Sequence, residues 1–222
     1  MFYCPGVAII SMTENNDIID DQHHPQRSGN TGNNLFPVFL KLEQLKVLIV
    51  GGGYVGNEKL QAVLANSPKT TIRLVATEIS EQIKTIAAQY NNIQLLERPY
   101  QATDIDDVNI VIAALNDRTV SEQVSIDAKA KGRLVNVADK PELCDFYLSS
   151  VVQKGNLKIA ISTNGKSPTI AKRIKEVLNE TLPAELDDVL SDMQQIRNKL
   201  SGDFTEKVKQ LNEITRKLVE DK

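Results

Sequence analysis

Gly51, Gly53 and Gly56 close an apolar run, Lys46-Val47-Leu48-Ile49-Val50, at the spacing G-x-G-x-x-G. Glycines at these intervals make a phosphate-binding turn. The first permits a tight strand-to-helix reversal, the second lets the backbone approach a pyrophosphate, and the third lets the helix lie against the strand. Residues Gly51 to Gly56, with Gly52, Tyr54 and Val55 among them, are the expected dinucleotide contacts. The following helix aims its free N–H groups and positive end at the phosphates.

Four further clusters carry polar chemistry. Thr77 and Glu78 stand where an acidic residue for ribose hydroxyls is expected, about 20 positions past the turn. Glu78 equally suits the first turn of the next helix. With no arginine directly after it, NAD is favoured over NADP. Ala114-Leu115-Asn116-Asp117 ends a strand-like run, so that Asn116 and Asp117 reach the nicotinamide half or Asp117 caps a helix. Asp139, in Asn136-Val137-Ala138-Asp139-Lys140-Pro141, is either a base that accepts a proton as hydride leaves a substrate or a turn former. Lys166, Lys172 and Arg173 surround a polar loop, Ser162 to Pro168, that enters a helix N-terminus. That is an anion site for an acidic substrate, or a solvated basic face.

Such residues need a frame. Apolar runs at Lys46–Val50, Thr71–Ala76, Ile93–Leu96, Asn109–Ala114 and Leu134–Ala138 alternate with helical patterns at Gly53–Ala65, Ile79–Tyr90 and Asp117–Lys131. Ser80 suits the cap of the second helix. Alternating strands and helices predict an α/β, Rossmann-like, doubly wound parallel sheet. Leu35–Leu40 alternates and contains Pro37, which predicts a short edge strand before it. After Asp139 the pattern changes. Tyr147–Val152 and Leu157–Ser162 flank Gln153-Lys154-Gly155-Asn156 as a hairpin. Ser167-Pro168 then opens a helix through Leu178. Pro183 begins a last helical region whose apolar positions, from Leu186 to Leu218, are interrupted by Gly202, giving two helices. The expected domains are a disordered extension over 1–33, a nucleotide-binding domain over 34–146, a small β-rich segment over 147–182 and a helical domain over 183–222.

Among 222 residues, 41% are hydrophobic and 25% charged, which predicts a packed core. A formal net charge of -3 gives no global argument for nucleic acid. No apolar run approaches the roughly 20 residues of a membrane span. Cys4 and Cys144 make no C-x-x-C pair, which reads as a reduced, cytoplasmic protein. Both histidines, His23 and His24, precede the first strand, so a zinc site is not expected and no metal ligands are assigned.

Phe36-Pro37-Val38-Phe39-Leu40, Val50-Gly51-Gly52-Gly53 with Glu58-Lys59, Ala113 to Asp117, Asn136 to Asp139, and Ile161 to Pro168, in this order, resemble the siroheme synthase N-terminal family. Its members are precorrin-2 dehydrogenases with or without sirohydrochlorin ferrochelatase activity. The resemblance covers about residues 35 to 180. It implies NAD-dependent oxidation of precorrin-2 to sirohydrochlorin, with ferrous iron as a further substrate in some members. It also implies a homodimer built through the segment after the nucleotide domain. The family's catalytic aspartate falls on Asp139. Its nucleotide contacts fall on Gly51 to Val55, on Thr77 and Glu78, and on Ala114 and Leu115. A serine that tunes porphyrin access in some members is Thr163 here, and a frequent Pro after the second strand is Thr77. The polycarboxylate substrate would meet Lys140, Thr163, Lys166, Ser167, Lys172 and Arg173. A non-catalytic NAD-sensing module is the competing expectation, and it has no need of the Asn136–Asp139 and Gly165–Pro168 motifs.

Overall fold

The computed structural model describes residues 32–183, 185–200 and 203–216. The expectations for the extension, including its histidines and Cys4, lie outside the described residues except at 32 and 33, as do those for Gly202 and Leu218.

Five strands, β1 (Lys46–Val50), β2 (Thr71–Ala76), β3 (Ile93–Glu97), β4 (Ile110–Ala113) and β5 (Leu134–Val137), form one parallel sheet in the order β3-β2-β1-β4-β5. Helices α1 (Tyr54–Asn66), α2 (Glu81–Ala87) and α3 (Arg118–Ala130) connect them. Alternate residues of each strand serve opposite faces. Val47, Ile49, Ile72, Leu74, Ile110 and Ile112 pack with Leu60, Val63 and Ile83 of α1 and α2. Leu48, Val50, Val75, Val111, Ala113, Val135 and Val137 pack with Val124 and Ala128 of α3 and with Ile105. Burial on both faces is why β1 and β4 read as continuous apolar runs.

Leu35–Leu40 departs from expectation. It forms no strand, and Phe36 is 87% exposed. Pro37 lacks a ladder donor, and β3 and β5 are the sheet's outer strands. The chain instead turns through a 3-10 segment, Leu42–Gln44, whose Leu42 packs on the α1/α2 side of the core. The second helix is shorter than expected. Ser80 occupies its N-cap position, but the hydroxyl makes no cap bond and is buried without a partner among the described residues. The loop before it is held by backbone instead, Ser80 N–H donating to Gly52 O at 3.0 Å.

Beyond the sheet, β6 (Ser150–Lys154) and β7 (Leu157–Ile161) form an antiparallel hairpin. Its turn is two residues, not four: Gly155 takes φ +54°, as a tight hairpin turn requires. The register thereby extends through Lys154–Leu157. Helix α4 (Pro168–Thr181) packs on this hairpin, with Val152 and Ala171 as its buried apolar residues. Helices α5 (Leu186–Lys199) and α6 (Phe204–Thr215) follow. Asp187 in the first turn of α5 accepts the Asn156 N–H (2.6 Å) and side-chain amide (2.8 Å), clamping the hairpin turn to that helix. Among the described residues no helix is long and apolar enough to cross a membrane.

A charged pair stabilises the crossover between β3 and β4. Asp104, 4% exposed, takes two bonds from Arg98 (2.6 and 2.9 Å) and one from the Gln101 N–H (2.9 Å). Burial pushes its carboxyl up, but the Arg98 guanidinium and the Gln101 N–H outweigh this and hold it below the usual carboxylate range. Its contribution is therefore present above the unfolded aspartate pKa, about 4, and is lost as pH falls below it. Asp104→Ala is expected to cost about 2–3 kcal/mol at pH 7. In urea unfolding the gap to the parent chain should narrow on going to pH 3, and a pH-independent gap would contradict the assignment.

Candidate active site at the carboxyl edge of the sheet

The ladder brings the predicted residues to one edge. Val50 pairs with Ala113, and Ala113 with Val137, so β1, β4 and β5 end level. The next residues continue the alignment: Gly51 N–H donates to Val75 O (2.9 Å), Ala114 N–H to Val50 O (2.7 Å) and Ala138 N–H to Ala113 O (2.9 Å). From β1 the chain first winds toward β3, then crosses back to β4. The gap between β1 and β4 is thus the switch point where such sheets bind ligands. Asp139 follows β5, which lies two strands from β1 along this edge.

Each glycine meets a different constraint. Gly51 has φ +128°, and a Cβ there would strike Ala114 O. A Cβ on Gly52 would strike Glu78 O, and one on Gly56 would strike Gly51 O. Around Gly53 nothing lies within 4 Å, its φ is -87°, and it is the N-cap of α1. The turn is therefore packed tight everywhere except at Gly53, where open space adjoins the helix's first-turn amides. A pyrophosphate fits that opening. Tyr54 is exposed and Val55 partly so, while Thr77 and Glu78 are exposed just past β2. Glu97, which the sequence reading passed over, holds this neighbouring loop: its Oε1 accepts the Ile79 N–H at 3.0 Å. Only its register opposite Ala76 at the end of β3 marks it out.

At β4, Ala114 is buried, Leu115 partly buried and Asn116 exposed. Asp117 caps α3 by accepting the Val120 N–H at 3.1 Å, which realises the capping alternative. At β5, Asp139 is exposed and has φ +59°, a left-handed conformation in a non-glycine residue. It sits in a turn closed by Lys140 N–H donating to Val137 O at 3.3 Å. Cys144 lines the inside of this turn. Its Sγ accepts the Val137 N–H (3.1 Å) and lies 3.3 Å from Lys140 O, and burial pushes the thiol pKa up.

The expected anion-binding residues are placed less uniformly. Lys140 turns inward, donating to Leu115 O (3.4 Å) and Ser121 Oγ (3.3 Å). Thr163 Oγ1 accepts the Ser167 N–H (3.2 Å) and donates to Ser167 O (3.1 Å), and Ser167 Oγ accepts the Ile170 N–H. Both hydroxyls thus close the loop and cap α4. Arg173 pairs with Glu176 at 2.7 Å, while Lys166 and Lys172 are exposed. A shallow cavity bounded by Pro168, Thr169, Lys172 and Arg173 marks this basic surface. The hairpin beneath it is tied to the far end of α1, Lys158 Nζ donating to Asn66 O at 3.1 Å. A cavity of about 220 Å³ lies at the amino edge of the sheet, but Arg73 and Lys46 there are paired with Asp107 (2.7 and 3.2 Å). The glycine crevice, with its exposed acid and open helix amides, is the better candidate for chemistry.

Comparison with known proteins finds relatives of this fold. The putative NAD(P)-binding family model matches residues 38–150, and the model for the sirohaem biosynthesis protein central segment matches residues 154–180. A siroheme synthase of Psychrobacter cryohalolentis is 36% identical over 176 residues, which is 79% of this chain and 32% of that protein. A siroheme synthase of Methylococcus capsulatus is 32% identical over 174 residues, 78% of this chain and 34% of that one. The chain thus spans about a third of the length of these curated relatives. Among solved structures, SirC, a precorrin-2 dehydrogenase, superposes with a TM-score of 0.67 at 26% identity, covering 84% of this chain and 90% of its own.

The contrasting glycine environments predict contrasting variants. Gly53→Asp should leave the melting temperature near that of the parent and abolish NAD binding by calorimetry, because the carboxylate fills the opening. Gly51→Ala should cost about 3 kcal/mol or more in stability, from the steric clash and the left-handed backbone together. Retained NAD affinity in the first variant would remove Gly53 from the site.

Proposed function

Because the chain belongs to the siroheme synthase N-terminal family, we propose that it is an NAD-dependent precorrin-2 dehydrogenase, yielding sirohydrochlorin. The observation that carries this reading is the level alignment of Gly51, Ala114 and Ala138, with Asp139 next in the chain. NAD supplies a hydride acceptor when bound. Gly51 to Gly56 would hold its pyrophosphate at the α1 N-terminus, Thr77 and Glu78 would serve the ribose, and Ala114, Leu115 and Asn116 would serve the nicotinamide.

Oxidation removes a hydride and a proton from the substrate. Asp139 takes the proton, being a carboxylate exposed at the crevice on a turn that fixes its backbone. A non-glycine residue held at φ +59° is strained. A glycine would serve a mere turn better, so an aspartate at this position of the chain supports a chemical role. Lys166, Lys172 and the α4 N-terminus offer charge complementarity to the carboxylates of a tetrapyrrole. Ferrous iron is the proposed substrate of a second step, insertion into sirohydrochlorin, in which Asp139 would receive pyrrole protons.

Residues 34–146 are the proposed NAD domain, 147–182 the dimerisation segment and 183–222 a helical domain. A lone two-stranded hairpin is marginal. Ile170, Ile174 and Val177, spaced along α4, are 53, 41 and 59% exposed, and a second copy would cover them. The cytoplasm is the proposed compartment, and nucleic acid and membrane are not proposed partners.

Anaerobic incubation with precorrin-2 and NAD should develop the sirohydrochlorin spectrum, and added ferrous or cobalt ion should then shift it if chelation follows. NAD binding without turnover would favour a sensing module. Asp139→Gly should keep the melting temperature within about 3 °C, since relief of backbone strain offsets added chain entropy. Its turnover should fall by about a hundredfold or more. Wild-type turnover in that variant would make Asp139 a turn residue only.

A further inference from the structure

We infer that Lys140 is a positioning residue that sets the base against the cofactor, rather than a cation that captures substrate. The inference rests on the proposed role of Asp139. A lysine that recruits anions holds its ammonium out to solvent. Here Nζ donates to Leu115 O at 3.4 Å and to Ser121 Oγ at 3.3 Å, and Ser121 is fully buried. Ser121 Oγ in turn donates to Asp117 O at 2.7 Å, so the ammonium sits under both the end of β4 and the first turn of α3.

Asp139 is thereby tied to β4 from both sides. Ahead of it, Ala138 N–H donates to Ala113 O at 2.9 Å, and behind it Lys140 reaches Leu115 O. Residue 140 is further fixed through its backbone, with N–H to Val137 O (3.3 Å) and its own O accepting the Leu143 N–H (3.1 Å). Both anchors end on the segment 113–115, the part of the crevice assigned to the nicotinamide. One strand end therefore carries the cofactor contact and the two tethers of the base. Removing the ammonium would let the turn relax away from β4 and shift the carboxylate without deleting it. Displacement of a reacting group by about 1 Å can lower turnover by a hundredfold without weakening substrate binding.

The test is a double-mutant cycle of Lys140→Met and Ser121→Ala on the full chain at saturating NAD. Each single variant should lower kcat, Lys140→Met by about tenfold or more. The KM for precorrin-2 should stay within about twofold of the parent, and the double variant should lose little beyond Lys140→Met alone, since both changes remove the Lys140–Ser121 bond. Lys140→Arg, which can donate to both oxygens, should recover part of the loss. A raised KM with intact kcat in Lys140→Met, or losses that multiply in the double variant, would overturn the inference. The same cycle read by urea unfolding tests the contact without turnover: non-additive losses are expected, and additive ones would overturn it. Wild-type turnover in Asp139→Asn would instead overturn the base assignment, and no turnover in the parent chain would overturn the proposed activity.

Discussion

The backbone of Gly51 lies so close to the carbonyl of Ala114 that no side chain fits between them. Everything at the carboxyl edge follows from that approach. It brings the β1–α1 turn against the strand on the other side of the switch point, and the parallel register then carries the alignment to β5. A single added methyl group would push the two halves of the sheet apart at the place where the proposed dinucleotide would lie across both. The glycine cluster is thus first a packing device. The proposed phosphate site is at Gly53, the glycine of this turn where an added Cβ would meet nothing within 4 Å.

Around this contact the polar groups divide into those committed to the frame and those left exposed. Asp117 caps a helix, Glu97 holds the loop after β2, and Lys140 joins the ends of β4 and β5. Tyr54, Thr77, Glu78, Asn116 and Asp139 remain exposed along the edge. Asp139, like Asn164, takes a left-handed backbone, and at Asp139 it persists because neighbouring residues are bonded on both sides. The proposed chemistry asks for this combination: a carboxylate exposed at its oxygens and fixed at its backbone.

The second part of the chain is built on a different balance. The sheet buries both faces, whereas the hairpin and α4 bury chiefly Val152 and Ala171 and leave an apolar stripe on α4 exposed. Single hydrogen-bonded clamps, Asp187 on Asn156 and Lys158 on Asn66, hold it where apolar burial does not. Such contacts are individually modest. The proposed dimer would supply the missing burial on this surface.

The sequence by itself determined the order of strands and helices, the phosphate turn and the edge to which the polar motifs belong. These depend on local signals: continuous apolar runs for doubly covered strands, glycine spacing for the turn, Ser167-Pro168 for a helix start. It also placed Asp139 just past a strand end, since that needs only the run Leu134–Val137. Tertiary structure decided which side chains are available. Lys140, Thr163 and Ser167 read as substrate contacts through the family resemblance, yet their partners come from the fold: Leu115 and Ser121 for Lys140, the loop's own backbone for the other two. Leu35–Leu40 carries a strand-like pattern, but a strand exists only where a neighbour offers its ladder, and the outer strands here are β3 and β5. Periodicity fixes which face a residue joins. Hydrogen-bond partners remote in sequence are set by register and close packing, and no local pattern encodes them.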